Sequence, residues 1–241
     1  MFQESMLFLP TTLPQDHTYS FEHSFEELFL TADDGAVLNG IHFKLEEPKG
    51  VILYFHGNAG DLQRWGTITS YFVEKNYDVV VMDYRTYGKS TGDRSEEAFY
   101  SDGQLFYNYT TQYYKEHDIT VYGRSLGSGV ASKITKENNP KQLILETPYY
   151  SIEDVAKHRF PILPVTKMLK YKFPNNEHLK QVQCPIYIIH GTDDRVVPYK
   201  SGKKLADELI GETELFTIQG GHHNDLINYD DYHKAIQSIL E

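Results

Sequence analysis

The sequence predicts an α/β domain with a mostly parallel, twisted sheet, antiparallel strands at its N-terminal end and helices on both faces. Short apolar runs bounded by turn residues alternate with longer stretches of 3.6-residue periodicity, which is the pattern of strands connected through helices. The first two strands instead follow each other across a short glycine turn, as antiparallel strands do. The length of 241 residues fits one large domain of this class.

The chain starts with a predicted β-hairpin. Phe25–Leu30 and Val37–Leu45 are apolar-rich runs, and Ala32-Asp33-Asp34-Gly35 between them contains the Asp-Gly pair that favours a tight turn. Two strands joined so closely pair in the antiparallel direction. The sheet is therefore expected to begin with an antiparallel edge.

Alternating strands and helices follow the hairpin. Val51–Phe55 is an uninterrupted apolar run, typical of a strand buried on both faces, and an amphipathic pattern over Leu62–Lys75 predicts the first helix. Val79–Asp83 repeats the strand pattern, and a polar, glycine-containing loop leads to a second helix over Glu96–Tyr114. Strands separated by whole helices are expected to run parallel.

The second half of the chain continues this alternation. Ile119–Tyr122 is a short apolar strand, a helix follows from Leu126 to Lys136, and Leu143–Glu146 and Ile186–His190 are two further apolar strands. The last predicted elements are a helix, a strand and a helix, at Ser201–Ile210, Glu214–Ile218 and Tyr229–Leu240.

One long stretch, between Pro148 and Cys184, interrupts the alternation. It is rich in prolines and aromatic residues and has no clear strand pattern. Insertions of this length in α/β domains are usually lids or binding loops. We therefore expect a single domain over residues 1–241, with 148–184 as a lid or cap.

The composition restricts the classes of partner. Lys and Arg number 23 against 34 Asp and Glu, which gives a formal net charge of −11 at pH 7. Nucleic acids and anionic membrane surfaces need a cationic surface on the protein, so neither is expected as a partner. The single cysteine, Cys184, cannot form an internal disulfide, so stability does not depend on an oxidising compartment.

The N-terminal segment bears on localisation. It lacks the basic start and long apolar run of a signal peptide, and no part of the chain approaches the about eighteen apolar residues that span a bilayer. We expect a cytoplasmic protein, with a longer, anchored precursor as the alternative.

Ser125 lies in the segment Gly123-Arg124-Ser125-Leu126-Gly127, which connects a predicted strand directly to a helix. A G-x-S-x-G sequence in this context predicts a strained turn that lifts the serine hydroxyl above the sheet edge, and a Cβ at either glycine would collide with neighbouring backbone. The helix start directs the N–H of Leu126 toward a developing oxyanion. The alternative is an ordinary glycine-rich turn with an incidental serine.

A serine nucleophile needs a base that an acid orients, and candidates for both follow later strands. Asp193 and Asp194 come just after one strand, and His222 and His223 come just after the next. Because the carboxyl ends of parallel strands share one edge, these side chains are expected beside Ser125. The order serine, acid, histidine is that of hydrolases with this type of sheet.

The chain resembles the α/β-hydrolase-fold serine hydrolases, in particular the esterase-like branch that includes protein depalmitoylases. The resemblance covers nearly the whole chain and rests on LYFHGNAGD, DYRTYGKSTG, VYGRSLGSGVA, LETPYYS, HGTDDRVVP and GGHHND, which occur in family order and spacing. It implies an α/β-hydrolase fold and a Ser125–Asp194–His223 catalytic triad that needs no cofactor.

The choice within each pair of candidates also comes from the resemblance. Asp194 matches the acid of the family pattern H-G-x-x-D-x-V-V/I-P, with Asp193 as its alternative. His223 aligns with the histidine of a His-Asn-Asp stretch, with His222 as its alternative. Glu146 ends an earlier strand at a position where some relatives have their acid.

Two loops that follow earlier strands are expected to shape the site. The resemblance implies that the residue after His56-Gly57 supplies the second oxyanion N–H, which is Asn58, with Ala59 as the alternative. Thr86 stands where the family pattern D-Y-R-G-Y-G-x-S has glycine. If that glycine has a positive φ, threonine would be strained there or would displace the loop.

The insertion is expected to bind the acyl group, because it holds many apolar side chains. The residues proposed to contact substrate are Tyr149, Tyr150, Ile162, Leu163 and Met168. The alternative is that these side chains only pack the insertion onto the domain.

The sequence therefore predicts a serine hydrolase that cleaves a carboxylic ester or thioester of a small or acylated substrate through an acyl-enzyme. An amidase or peptidase would use the same triad. A catalytically inactive binding protein with this fold is less favoured, because all three triad residues are present. No metal is expected, since the histidines and aspartates lack a ligand spacing such as H-E-x-x-H. Nothing in the sequence points to an oligomeric state.

Overall fold

The computed structural model describes Glu4, residues 7–160 and residues 169–241. Its strands are β1 (Leu9–Pro10), β2 (Phe25–Thr31), β3 (Val37–Phe43), β4 (Val51–Phe55), β5 (Ala59–Gly60), β6 (Asp78–Met82), β7 (Ile119–Arg124), β8 (Gln142–Glu146), β9 (Ile186–Gly191) and β10 (Thr213–Ile218). Its α-helices are α1 (Leu62–Val73), α2 (Glu96–Thr111), α3 (Gly127–Glu137), α4 (Ile152–Arg159), α5 (Asn175–His178), α6 (Tyr199–Glu208) and α7 (Asp230–Leu240).

An eight-stranded sheet forms the centre of the molecule, in the order β10-β9-β8-β7-β4-β6-β3-β2. All neighbours from β10 to β6 are parallel, whereas β3 is antiparallel to both β6 and β2. The predicted hairpin turn is confirmed, with Gly35 at a φ of +86° and its N–H donating to the carbonyl of Ala32. The antiparallel edge and the parallel centre agree with the sequence analysis.

Both faces of the central strands are buried, and successive residues pack on opposite sides. In β4, Leu53 belongs to one apolar cluster, while Ile52 and Tyr54 belong to the other. This alternation follows from the two-residue period of a strand, and helices cover each face. A continuous apolar run such as Val51–Phe55 is the sequence signature of this arrangement.

Four of these elements, β1, β5, α4 and α5, were not predicted from the sequence. The strands β1 and β5 pair with each other in a separate two-stranded sheet and are too short to show periodicity. Helix α4 lies inside the stretch described as a lid, where the side chain of its N-cap, Ser151, accepts a hydrogen bond from the N–H of Asp154. Helix α5 is only one turn long.

A membrane-spanning helix is absent from the part of the chain that the structure describes: none of its helices combines the necessary length and apolar character.

His42 on β3 makes folding stability sensitive to acid. The imidazole is fully buried, with Nδ1 2.9 Å from the Tyr109 hydroxyl and Nε2 3.0 Å from that of Tyr114. Burial, and to a lesser degree the charge of Lys44, lowers the pKa of His42 from 6.5 to about 4. As the pH falls, the unfolded chain therefore protonates His42 at a higher pH than the folded protein does. The contribution of neutral His42 to folding stability is fully present above pH 6.5 and is lost as the pH drops from 6.5 through 4.

We expect His42 to account for about 2 kcal/mol of the stability lost between pH 7 and pH 5. Urea unfolding at both pH values measures this loss, and the His42→Phe variant should lose less by that amount. The exposed His117, changed to phenylalanine, serves as the control. An equal loss in His42→Phe and in the unaltered protein would contradict the assignment.

Candidate active site

Ser125 occupies a strained turn between β7 and α3. Its φ is +50°, a backbone conformation that residues other than glycine rarely adopt. Its N–H donates to the carbonyl of Glu146 at 2.9 Å. The carbonyl of Ser125 accepts hydrogen bonds from both the N–H and the hydroxyl of Ser128. The turn therefore holds Ser125 at the carboxyl edge of the sheet, as G-x-S-x-G predicted.

The two glycines of the turn allow close backbone contacts. A Cβ on Gly127 would lie 2.0 Å from the carbonyl oxygen of Phe55, which belongs to β4. A Cβ on Gly123 would lie 2.5 Å from the Cβ of Ala131 and 2.8 Å from the carbonyl oxygen of Gly127. The expectation that neither position tolerates a side chain is confirmed.

Replacing Gly127 by alanine should lower the free energy of unfolding by about 2 kcal/mol or more, because the contact with Phe55 is to backbone and cannot be relieved by a rotamer change. Urea unfolding measures the change. Lys136→Ala, at the other end of α3, is the control and should cost no more than about 0.5 kcal/mol. Equal unfolding midpoints for the two variants would show that the turn can move.

The structure brings Ser125, His223 and Asp194 together in a continuous chain of hydrogen bonds. The Nε2 atom of His223 lies 2.9 Å from the hydroxyl of Ser125, and its Nδ1 atom lies 2.7 Å from Oδ2 of Asp194. Asp194 and His223 are both buried, and Ser125 is half-buried. These contacts join residues 29 and 98 positions apart in the chain. Their assignment as a triad remains a prediction, and the geometry is that of a base held by an acid.

Four donors surround the carboxylate of Asp194. Its Oδ1 accepts the N–H groups of Val196 and Val197 at 2.8 and 2.9 Å. Its Oδ2 lies 2.7 Å from His223 Nδ1 and 3.2 Å from His190 Nε2. Burial opposes ionisation, but the hydrogen bonds from the two histidines outweigh it and hold the pKa of Asp194 well below its usual range. The carboxylate is therefore charged throughout the neutral range.

Sequence reasoning did not identify His190 as part of the site. It is fully buried at the end of β9, and its Nε2 also lies 3.0 Å from the carbonyl of Val197. A carbonyl can only accept, so Nε2 carries the proton and the ring donates toward Asp194. The signal for this role was the position of the histidine at the end of the strand, four residues before the acid.

The alternatives to the acid and the base lie elsewhere. The carboxylate of Asp193 accepts from Thr192, and the carbonyl of Asp193 lies 2.9 Å from Nδ1 of the exposed His222. Glu146 is buried in an ion pair with Arg124, 3.1 Å apart, and accepts the hydroxyl of Tyr122 at 2.5 Å. The side chains of Asp193, His222 and Glu146 therefore make no hydrogen bond to the imidazole of His223, whose partners are Asp194 and Ser125.

Arg124 connects the serine turn to the histidine loop. Its guanidinium donates to the carbonyl of His223 and to Oδ1 of Asn224, both at 3.4 Å. Although burial opposes its charge, the neighbouring Glu146 raises the pKa of Arg124 above its usual range. The residue directly before the serine therefore helps to fix the backbone of the histidine, a role the sequence analysis did not assign.

The predicted oxyanion residues lie at the ends of two adjacent strands. Leu126 precedes the first residue of α3, and Asn58 follows β4 by three residues. Within the described residues, neither backbone N–H donates to a protein acceptor, as an oxyanion donor requires. Ala59 lies in β5, and its carbonyl accepts the indole N–H of Trp65 at 2.9 Å. The choice between Asn58 and Ala59 stays a prediction.

Buried polar groups support the loop that contains Asn58. His56 is fully buried, with Nδ1 2.6 Å from the carbonyl of Gly57 and Nε2 3.2 Å from Oδ1 of Asp83. The hydroxyl of Tyr84 donates to the carbonyl of His56 at 2.8 Å. His56 therefore stabilises this loop.

The apolar acyl site expected in the insertion is only partly within the described residues. Tyr149 is buried and its hydroxyl donates to the carbonyl of Leu126, so it supports the serine turn and does not offer an open binding surface. The half-buried Tyr150 contacts α6, where its hydroxyl donates to Glu208 and its ring lies 3.6 Å from the ammonium group of Lys204. The remaining predicted contacts, Ile162, Leu163 and Met168, lie outside the described residues.

Thr86 has the backbone conformation suspected from the missing glycine. Its φ is +72°, and its buried hydroxyl has no hydrogen-bond partner among the described residues. A left-handed threonine is strained, since its β-branched side chain crowds the backbone. The loop nevertheless keeps its turn, with the N–H of Thr86 donating to the carbonyl of Ser90.

The chain matches a family of known proteins and several curated relatives. The Hydrolase_4 family, described as serine aminopeptidase, S33, matches residues 46–177. The lysophosphatidylserine lipase ABHD12 of Macaca fascicularis is 34% identical over 182 residues, which cover 67% of this chain and 46% of that protein. The chain spans about half the length of the curated relatives it matches.

Solved structures show the same fold at low sequence identity. The Pyrococcus furiosus esterase Pf2001 superimposes on this chain with a TM-score of 0.76 at 16% identity. The superposition covers 97% of this chain and 96% of the esterase chain. The esterase Est1E of Butyrivibrio proteoclasticus, solved with ferulic acid, gives a TM-score of 0.69 at 17% identity. This superposition covers 88% of this chain and 96% of the Est1E chain. At this identity the likeness shows a shared fold.

Proposed function

The chain belongs to the Hydrolase_4 family, whose match over residues 46–177 covers more than half of its length, and from this membership we propose that it cleaves a carboxylic ester or thioester through an acyl-enzyme on Ser125. The observation that carries the proposal is the hydrogen-bonded series Ser125–His223–Asp194. A serine hydroxyl is a weak nucleophile by itself, and this arrangement is the one that activates it.

In the first half of the proposed reaction, the Ser125 oxygen attacks the substrate carbonyl while Nε2 of His223 takes the hydroxyl proton. Asp194, which the surrounding donors keep ionised, stabilises the imidazolium and fixes its orientation. The negative charge that develops on the carbonyl oxygen is stabilised by the N–H groups of Leu126 and Asn58. Collapse of the tetrahedral intermediate expels the alcohol or thiol, which receives its proton from His223.

In the second half, water attacks the acyl-enzyme and His223 again acts as the base. The intermediate collapses to the free acid, and the proton returns to Ser125. Every step uses groups of this chain and a substrate carbonyl. The partner that we propose is accordingly a small or acylated molecule.

The acyl group is proposed to be apolar. The curated relatives that are 33–34% identical to this chain are named lysophosphatidylserine lipases. The insertion over 148–184 contributes apolar residues by sequence, and Val196 on the acid loop and Ile227 beyond the histidine are exposed apolar side chains. Exposed apolar side chains on the loops that carry the acid and the histidine favour an acyl chain over a polar group.

The description of the matching family as a serine aminopeptidase supports a second candidate, hydrolysis of an amide. The same triad cleaves both bond types, so the preference depends on the leaving group. A direct comparison of matched substrates separates the two proposals.

The test is turnover of p-nitrophenyl esters from acetate to palmitate, a palmitoyl thioester, and amino-acid p-nitroanilides. We expect ester and thioester hydrolysis, with a maximum of kcat/KM at an intermediate or long acyl chain. Cleavage of anilides without cleavage of esters would replace the proposal by the amidase alternative. A folded sample that cleaves none of these substrates would overturn it in favour of a binding protein.

A further inference from the structure

The N-terminal segment runs beside the loop that contains Asn58. Strand β1 pairs in parallel with β5, with Leu9 opposite Ala59 and Pro10 opposite Gly60. The N–H of Thr11 donates to the carbonyl of Gly60 at 3.1 Å. Residues far apart in sequence therefore form a small sheet at the position where the second oxyanion donor is expected.

Asn58 itself is held by donors from two other segments. The N–H of Leu9 donates to Oδ1 of Asn58 at 2.9 Å. The hydroxyl of Tyr87 lies 2.7 Å from the carbonyl oxygen of Asn58 and 3.1 Å from its Oδ1. These contacts fix both the side chain and the peptide plane that follows Asn58, and so restrict the backbone around the Asn58 N–H.

Further contacts fasten the N-terminal segment to the domain. The N–H of Gly88 donates to the carbonyl of Thr11 at 2.8 Å, and the N–H of Leu13 donates to the carbonyl of Gly88 at 2.9 Å. Phe8 is buried, with its ring 5.1 Å from that of Phe99 and 4.8 Å from that of Tyr171. The segment thus joins the Asn58 loop to the Tyr87–Gly88 turn.

The contribution of Leu9 to this arrangement comes from its backbone. Leu9 is 54% exposed, so its side chain buries little apolar area, whereas its N–H makes a specific hydrogen bond. A change that removes the N–H is therefore distinguishable from one that only shortens the side chain.

We propose that β1 contributes to catalysis through one backbone group: the N–H of Leu9, together with the hydroxyl of Tyr87, positions Asn58 so that the Asn58 N–H faces the developing oxyanion. This inference rests on the proposed function. Oxyanion donors act mainly on the transition state and depend on close positioning, and loss of one such donor typically lowers kcat by about 10²-fold to 10³-fold. Loss of a positioning contact should cost less, about tenfold in kcat, with KM nearly unchanged.

The first test compares Leu9→Pro, which lacks the N–H, with Leu9→Ala, which keeps it. Activity is measured with p-nitrophenyl butyrate, and a fluorophosphonate probe counts the competent serines, so that misfolded protein does not affect kcat. We expect about a tenfold lower kcat for Leu9→Pro and no change for Leu9→Ala. Equal kcat values for the two variants would overturn the inference.

A double-mutant cycle tests whether the effect runs through Asn58. If Leu9 acts on the Asn58 side chain, the Leu9→Pro change should have little further effect on kcat in an Asn58→Ala background. Fully multiplicative effects would contradict this connection. Tyr87→Phe removes the second donor without altering the backbone and is expected to lower kcat about tenfold, which keeps the inference testable if Leu9→Pro does not fold.

The outcome for the unaltered protein separates this inference from the proposed function. Absence of ester hydrolysis by the unaltered protein would overturn the proposed function. Hydrolysis that is insensitive to Leu9→Pro and Tyr87→Phe would overturn only the role of β1.

Discussion

Replacing Ser125 by alanine should lower kcat for p-nitrophenyl esters by about 10⁴-fold to 10⁶-fold, because it removes the atom that attacks the substrate. Without the hydroxyl, His223 has no proton to accept and no acyl-enzyme can form. Residual hydrolysis would come from the oxyanion donors and from substrate binding alone. Steady-state kinetics with a saturating ester measures the loss.

Ser132→Ala is the matched control for this change. Ser132 is buried in α3, two turns beyond Ser125, and its hydroxyl has no hydrogen-bond partner among the described residues. Its removal should leave kcat unaltered. Activity in Ser125→Ala within tenfold of the unaltered protein would show that another group is the nucleophile.

The second large effect is expected at Asp194. Changing it to asparagine should lower kcat by about 10⁴-fold, because an amide cannot stabilise the imidazolium and favours the wrong tautomer of His223. The hydrogen bonds from Val196 and Val197 should preserve the fold of the loop, since an amide oxygen accepts them as well. Values of kcat for Asp194→Asn, measured at several pH values, show whether its activity recovers as the hydroxide concentration rises.

Asp193→Asn is the control, and it also decides between neighbouring residues. The Asp193 side chain contacts Thr192 and does not reach His223, so its change should leave kcat nearly unaltered. A large loss in Asp193→Asn together with a small loss in Asp194→Asn would reverse the assignment. A small loss of kcat in both variants would favour Glu146, the third candidate from the sequence, as the acid.

The expected α/β-hydrolase fold and the resemblance to hydrolases are confirmed. The positions of the site residues could be predicted because each of them follows the end of a strand. Parallel strands separated by helices must bring their carboxyl ends to one edge, so a residue just past a strand has a predictable place. Ser125, Asp194 and His223 each lie in a loop of this kind, after β7, β9 and β10. Their convergence could be predicted before any distance was measured.

The supporting contacts could not be predicted in the same way. The bonds from His190 to Asp194 and from Leu9 to Asn58 depend on side-chain and loop geometry that no periodicity encodes. Tyr149 was expected to contact substrate, but a buried aromatic residue and a pocket residue have the same sequence signature. Helix α4 was missed because proline-rich flanks obscured its cap at Ser151.

In the proposed mechanism, Ser125 becomes a nucleophile because its hydroxyl contacts His223, which in turn contacts Asp194. Reaction with a fluorophosphonate probe, followed by mass spectrometry of the labelled peptides and by labelling rates, tests this most directly. We predict a single labelled residue, Ser125, and a labelling rate reduced at least about 10²-fold in His223→Ala. Label on another residue, or a rate that does not change in His223→Ala, would contradict the account.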